Sequence, residues 1–488
     1  MQSGIEEIVK KLRQETNEVS DITYRLKIVN ERKVYVIYNE PLTGGDKISD
    51  FIMRSLDYIN SKYDYEIDLL NTIINDISNF KVKTITCYKD ICYYLNYGFT
   101  IILMEGYDKY LALETKRNLS RSIGAPVTEN SIRGAMDSFV EDNQTNMGLI
   151  RRRIKSNNLW VSDNEIGRYT KTKVSVIYVN GICKKELVER VNKLIKKIDI
   201  DGITDSGTIK NLIAKEIKRI FPTVLSTERP DRACQALLSG KVIIMVDTSP
   251  FCLILPATFS DFFMSSEDNF NSSCNISVTR LVRYVAFGIS MLTPAIYIAI
   301  TTFNQEMLPT ELLISFASQR SSVPFSAFFE ALIMMISFEI LRESDLRKPG
   351  FASSALSIVG ALILGEAAVN AGIVSPIMII VIALTAISAL TLSEPEVING
   401  LRWYRLLFMI GASSLGIVGV VMIFIYFVIE MTSMESFGIP YTTPFSPTFI
   451  EGIKNSFFRV PVWNLKTRKS YLSDNKIKLK EKSDGDLE

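Results

Sequence analysis

The sequence predicts an N-terminal cytosolic α/β domain of two related subdomains followed by a helical multi-pass transmembrane domain. Three observations carry that reading. The 488-residue chain is charged in its first half and apolar in its second, so its net charge of +2 averages two unlike halves. Apolar runs long enough to cross a bilayer follow one another between Arg280 and Glu430. Upstream of them a strand–helix–hairpin pattern occurs twice, offset by roughly 140 residues.

Residues 1–30 are polar and helix-favouring, with no strong apolar face. The first α/β subdomain is expected over 31–115. Val34–Tyr38 reads as a strand closed by Pro41 and Gly44-Gly45, and Ile48–Tyr58 as a helix with Phe51, Ser55 and Tyr58 on one face. Phe99–Met104 and Tyr110–Leu113 read as a hairpin. A helical connecting segment is expected over 116–170, its helix running from Glu129 to Ser156 with Ile132, Met136, Phe139, Met147 and Ile150 inward. It ends in Arg151-Arg152-Arg153, read either as a solvated helix end or as a contact with a neighbouring subunit or anionic lipid. The second subdomain is expected over 171–279, with a strand at Val174–Val179, an amphipathic helix at Lys185–Lys197 and a hairpin over Gly240–Leu255.

The transmembrane domain is expected over 280–435. Tyr284–Phe303 contains no charged residue, and about 20 apolar residues at 1.5 Å each match a hydrocarbon core roughly 30 Å thick. Ser357–Val374, Pro376–Leu392 and Tyr404–Ile429 are further runs, and Pro324–Leu341 is a fifth that Glu330 and Glu339 interrupt. Four or five crossings fit, and the choice decides the side of the C-terminal tail, 436–488, whose end is expected to be disordered.

Composition excludes several functions. The chain has no His, which removes imidazole catalysis and the common zinc sites. The six Cys fit no metal spacing and are expected to be reduced. The charged N-terminus has no apolar core, so the first half is expected in the cytosol. No P-loop, dinucleotide fingerprint, kinase signature or nucleophile elbow occurs, so neither an enzyme nor a cofactor or metal site is expected. No nucleic-acid recognition module accompanies the basic run.

In the membrane half, Ser357, Ala361 and Gly365 recur every four residues, as do Ala368 and Gly372, which suits close helix packing. Leu362, Glu366, Val369 and Asn370 form a separate stripe. That stripe is read either as the lining of a symmetric pore, with Leu362 as apolar gate and Glu366 as a cation-selecting ring, or as a Glu satisfied by a neighbouring helix.

Several of these segments resemble the A subunits of bacterial spore-germination nutrient receptors, the GerA family. The resemblance rests on Phe221-Pro222, Thr227–Asp231 (TERPD), Leu238–Pro256, Arg280–Thr302, Val323–Arg342, Ser357–Ser388, Phe437–Tyr441 (FGIPY) and Ile150–Lys155. The chain departs from the family pattern at Gly134–Phe139, Asp247–Pro250 and Asn269-Phe270. The resemblance implies an inner spore membrane location and work with a transporter-like B subunit and a lipoprotein C subunit. It also implies a homo-oligomer, a pentamer, forming a nutrient-gated path for monovalent cations. The alternative is a non-conducting signalling scaffold that couples the B subunit to downstream effectors.

Overall fold

The computed structural model describes residues 4–16, 19–62, 68–76, 82–116, 124–126, 128–129, 133–214, 220–346, 365–392 and 394–475. The chain divides into two compact units. The first comprises Met1–Lys218, Val224–Pro256 and Val462–Glu488; the second comprises Arg219–Thr223 and Ala257–Pro461.

The first unit opens with α1 (Gly4–Thr16), which buries Ile5, Val9, Leu12 and Thr16. These positions recur at helical spacing and form the apolar face that the polar composition hides. Two five-stranded sheets follow. The strands of the first are β1 (Ile22–Val29), β2 (Arg32–Asn39), β3 (Val82–Ile85), β4 (Phe99–Met104) and β5 (Tyr110–Glu114), in the order β1-β2-β4-β5-β3. Those of the second are β6 (Leu159–Ile166), β7 (Thr172–Val179), β8 (Leu225–Thr227), β9 (Val242–Val246) and β10 (Cys252–Leu255), in the order β6-β7-β9-β10-β8. All described pairings are antiparallel.

The two orders are the same, strand for strand. The helices match as well: α2 (Arg54–Lys62), α3 (Leu69–Asp76) and α4 (Tyr88–Asn96) surround β3 in the chain. In the second copy α6 (Lys185–Lys196), α7 (Ser206–Ala214) and α8 (Pro230–Leu238) surround β8, while α5 (Asn143–Arg153) lies between the copies. Each sheet gains a first strand that sequence reading missed. β1 begins before the expected boundary at 31, and β6 lies inside the expected connecting segment 116–170.

Two helical expectations are corrected. The row Phe51 and Tyr58 is exposed; the buried row is Ile48, Ile52, Leu56 and Ile59, which packs under β2 and β4 residues such as Val34, Val36 and Ile102. The helix expected over Glu129–Ser156 shortens to α5. Asp142 caps it, accepting from the N–H groups of Gln144 at 3.4 Å and Thr145 at 2.9 Å. Upstream of that cap, Met136 is exposed and Phe139 buried in non-helical chain, while Met147 and Ile150 are buried on α5. Ile132 lies outside the described residues.

The TERPD segment holds the described residues before α5, which are not helical. Glu228 Oε1 accepts from the Thr128 N–H at 2.5 Å, the Thr128 hydroxyl at 2.8 Å and the Glu129 N–H at 2.9 Å. Arg229, with no exposed surface, donates to Asp231 at 2.9 and 3.1 Å and to the carbonyls of Glu129 and Ala135 at 3.2 and 3.0 Å. Arg232 pairs with Glu129 at 3.0 Å. The motif therefore satisfies backbone groups of the incoming segment that a helix would otherwise have paired internally. The C-terminal tail returns to the same subdomain: Arg468 donates to the Leu238 carbonyl at 3.2 Å. Leu472 packs so tightly on Gly240 that a Cβ there would lie 2.9 Å from its carbonyl oxygen.

The second unit is helical. Its long helices are α9 (Ser273–Thr302), α10 (Thr310–Arg320) and α11 (Ala327–Leu346). A helix over 365–370, α12, precedes α13 (Pro376–Leu390), α14 (Pro395–Leu415) and α15 (Ile417–Ser433). The run Tyr404–Ile429, expected to be one span, is two helices folded back on each other. Gly416, at φ 64°, makes the turn. A Cβ there would lie 2.6 Å from Asn304 Oδ1, and one at Gly419 would lie 2.1 Å from the Gly411 carbonyl oxygen, so only glycine admits this reversal. Tyr404 stacks edge-on against Phe427 and donates to Glu430, which confirms the antiparallel hairpin. The FGIPY segment is a short hairpin, β11 (Glu435–Ser436) and β12 (Ile439–Pro440), turned by Phe437 and Gly438 at positive φ. Tyr441 is fully buried beside Phe259 and Phe262.

Candidate functional site

Among the described residues one helix, α9, is long and apolar enough to cross a bilayer; α13 and α15 are apolar but shorter. Large apolar side chains nonetheless stand exposed across the unit, among them Val285, Ile336, Ile380, Ile387, Val421 and Ile425. A surface of that extent needs a cover other than water.

Leu362 of the pore stripe and Ser357 and Ala361 of the packing row lie outside the described residues. Of the rest, Glu366 and Asn370 are exposed on α12, Val369 and Ala368 are half-buried, and Gly365 is buried against Ile379 of α13. A Cβ at Gly365 would meet Ile379 at an ordinary 3.7 Å, so the packing does not demand glycine there. Gly372 is corrected from a packing residue to a helix terminator. Its φ is 65°, its N–H donates to Val369, and Ile373 donates to Ala368 at 3.0 Å, the paired bonds that close a helix C-terminus.

The acidic residues of α11 have separate partners. Glu330 is completely buried and accepts from the backbone N–H and hydroxyl of Ser375, at 3.0 and 2.9 Å, where α13 begins. Arg320 stands 3.5 Å away. A carboxylate at a helix N-terminus is favoured by the exposed N–H groups there. Glu339, about half a turn round the helix from Glu330, bridges Arg342 at 2.9 Å and Arg402 at 2.6 Å. Arg405, buried, donates to the Ser290 carbonyl at 2.7 Å. At the start of α9, Arg280 and Arg283 both pair with buried Asp268, at 2.7 and 3.1 Å. Sequence reading marked Glu330 and Glu339 but missed the arginines that answer them; the i, i+3 spacing of Arg402 and Arg405 on an otherwise apolar helix is the signal it could have used.

These contacts fix the helix directions. Arg405 lies level with Ser290 and Ile417 with Asn304, so α14 runs parallel to α9. Glu330 and Ser375 lie level with Tyr297, whereas Glu339 lies level with Arg405, so α11 runs antiparallel to α9.

The basic run of the first unit divides. Arg151 is 1% exposed and pairs with Asp21 at 2.6 Å, also donating to the Leu159 carbonyl at 3.2 Å. Its charge is spent inside the unit, so it offers no surface to a lipid or subunit. Arg153 pairs with Asp137. Arg152 is exposed. All six cysteines are free thiols.

The first unit carries two like sheets and the second apolar helices, one of them long enough to cross a bilayer. The comparisons give the family. The sequence profile described as "Bacillus/Clostridium GerA spore germination protein" matches residues 10–471. The chain is 43% identical to spore germination protein KA of Bacillus subtilis (strain 168), over 75% of this chain and 67% of that protein. It is 33% identical to spore germination protein GerLA of Bacillus cereus, over 99% of each. A crystal structure of the N-terminal domain of the A subunit of the Bacillus megaterium spore germinant receptor GerK3 aligns with 52% of this chain and 95% of that one, at 31% identity and a TM-score of 0.42. The chain belongs to the GerA spore-germination family.

Proposed function

We propose that this chain is the A subunit of a spore nutrient receptor, a multi-pass membrane protein that assembles as a pentamer into a nutrient-gated path for monovalent cations. Its partners in this reading are a transporter-like B subunit and a lipoprotein C subunit. It lies in the inner spore membrane with the two-sheet domain facing the spore core.

Helix directions within the second unit support a multi-pass reading: α9 and α14 run one way and α11 the other. Arg342, near the end of α11, and Arg402, near the start of α14, meet at Glu339, as suits helix ends gathered at one face of a membrane.

The observation that carries conduction is the exposure of Glu366 and Asn370 on α12, beside a helix, α13, whose Ile380 and Ile387 are exposed apolar side chains. A carboxylate facing lipid costs about 2.5–3.5 kcal/mol on insertion scales. Copies arranged around a water-filled axis remove that cost and make Glu366 a ring. Glu366→Gln is expected to lower cation release several-fold with assembly unchanged, and Leu362→Ala to raise resting leak. Assembled protein and ion release are measured together in germinating spores. Normal release with normal assembly in both variants removes this helix from the path and favours the scaffold.

A further inference from the structure

We propose that Arg342, Arg402 and Arg405 form a binding site for the phosphate of an anionic phospholipid. The inference rests on the membrane reading above and is independent of conduction. Arg342 and Arg402 pair with one carboxylate, Glu339, at 2.9 and 2.6 Å, and Arg405 lies within electrostatic reach of it. Arg342 Nε, Arg402 Nε and Arg405 Nη2 are all buried without a hydrogen-bond partner among the described residues. Buried donors of this kind, on charged groups, are costly to leave unpaired. Arg405 is only 6% exposed and is anchored by Ser290, so its free nitrogen is held in place rather than mobile. Fixed guanidinium forks match phosphate oxygens, which accept two bonds at once.

The surroundings select a lipid as the source of that phosphate. Trp403, 63% exposed, stands between Arg402 and Arg405 in the chain, and an indole of that kind favours the level of lipid headgroups. Exposed apolar rows lead away from the cluster on both helices: Ile336 and Ile333 on α11, Leu407 and Ile410 on α14. Because α11 and α14 run in opposite directions, both rows extend toward the same side, deeper into the helix layer. They offer a track for acyl chains below a phosphate held at the arginines. Basic pockets between membrane helices on the core-facing side bind headgroups in this way.

The test uses full-length protein mixed with phosphatidylcholine vesicles or with vesicles containing phosphatidylglycerol, followed by flotation. Phospholipid retained after re-extraction in mild detergent is then counted by native mass spectrometry, with inorganic phosphate as a third ligand. Phosphatidylglycerol should be retained and should raise the thermal midpoint, whereas phosphatidylcholine and free phosphate should do neither. Arg342→Gln with Arg402→Gln should weaken retention about tenfold. Glu339→Gln should strengthen it, because the carboxylate competes with the phosphate for the same donors; a fold-damaging change would move it the other way. Protein that floats with neither vesicle breaks the membrane reading. Equal retention of the two lipids, protection by phosphate alone, or unchanged retention in the Arg and Glu variants overturns the lipid site.

Discussion

The two sheets of the first unit are built alike and fastened differently. In both, two helices, a short edge strand and a third helix separate the second strand from the hairpin. The third helix of the first copy, α4, has exposed Cys87 at its N-cap and makes no side-chain cap bond. At the matching position of the second copy, α8 has Arg229, buried and bonded to Asp231 and to two carbonyls of the incoming chain. The two copies thus share a sheet order and differ at one helix start, which in the second copy is a clamp. The difference gives the TERPD motif an architectural role: Glu228, Arg229 and Asp231 all find partners within the fold.

The largest test of that contrast compares the two helix starts. Arg229→Ala should destabilise the second subdomain by about 3–5 kcal/mol, since it strands Asp231 and backbone carbonyls in the interior. Cys87→Ala should stay within about 0.5 kcal/mol. Denaturant unfolding of the full-length protein measures both; similar losses at the two positions would break the comparison.

Next in size is the bolt between the copies. Arg151→Ala should cost about 3 kcal/mol by leaving Asp21 buried and alone. The chain between β5 and α5 should then open to protease before either sheet unfolds. Asp21→Ala combined with Arg151→Ala should recover part of the loss, and a double-mutant cycle reads the coupling.

The smallest effect is chemical. Burial pushes the Cys234 thiol up to about 12, and it holds Cys183 near the same value. Above pH 9 an unfolded thiol loses its proton while the folded one keeps it. The second subdomain should therefore be fully stable below that pH and lose stability as pH rises toward 12, by of order 1 kcal/mol at pH 10. Cys234→Ala should shrink the difference between unfolding midpoints at pH 8 and pH 10. An aqueous maleimide should label Cys87 in the native first copy and reach Cys234 and Cys252 only after unfolding.

The hairpins of both sheets were legible because FTIILM and VIIMV are buried at every position, which leaves an uninterrupted apolar run. The first strands were not. In β1, Arg25 and Lys27 interrupt the pattern, and in β6, Asp163 and Glu165 do the same; charges of this kind protect sheet edges. The reversal at Gly416 was hidden for the opposite reason: a glycine inside a long apolar run changes neither hydropathy nor charge, and only its positive φ reveals the turn. Glu330 and Glu339 were visible as ionisable residues on an apolar segment. Their partners were not, because Ser375 and Arg402 come from other helices and meet them only through packing.

With the tail returned to the second subdomain, the first unit is gathered from three stretches of chain, Met1–Lys218, Val224–Pro256 and Val462–Glu488, and the helical unit from two, Arg219–Thr223 and Ala257–Pro461. The chain therefore passes between the units four times. A single cut at any of these passages leaves three others intact, so the units are laced together rather than hung on one cord.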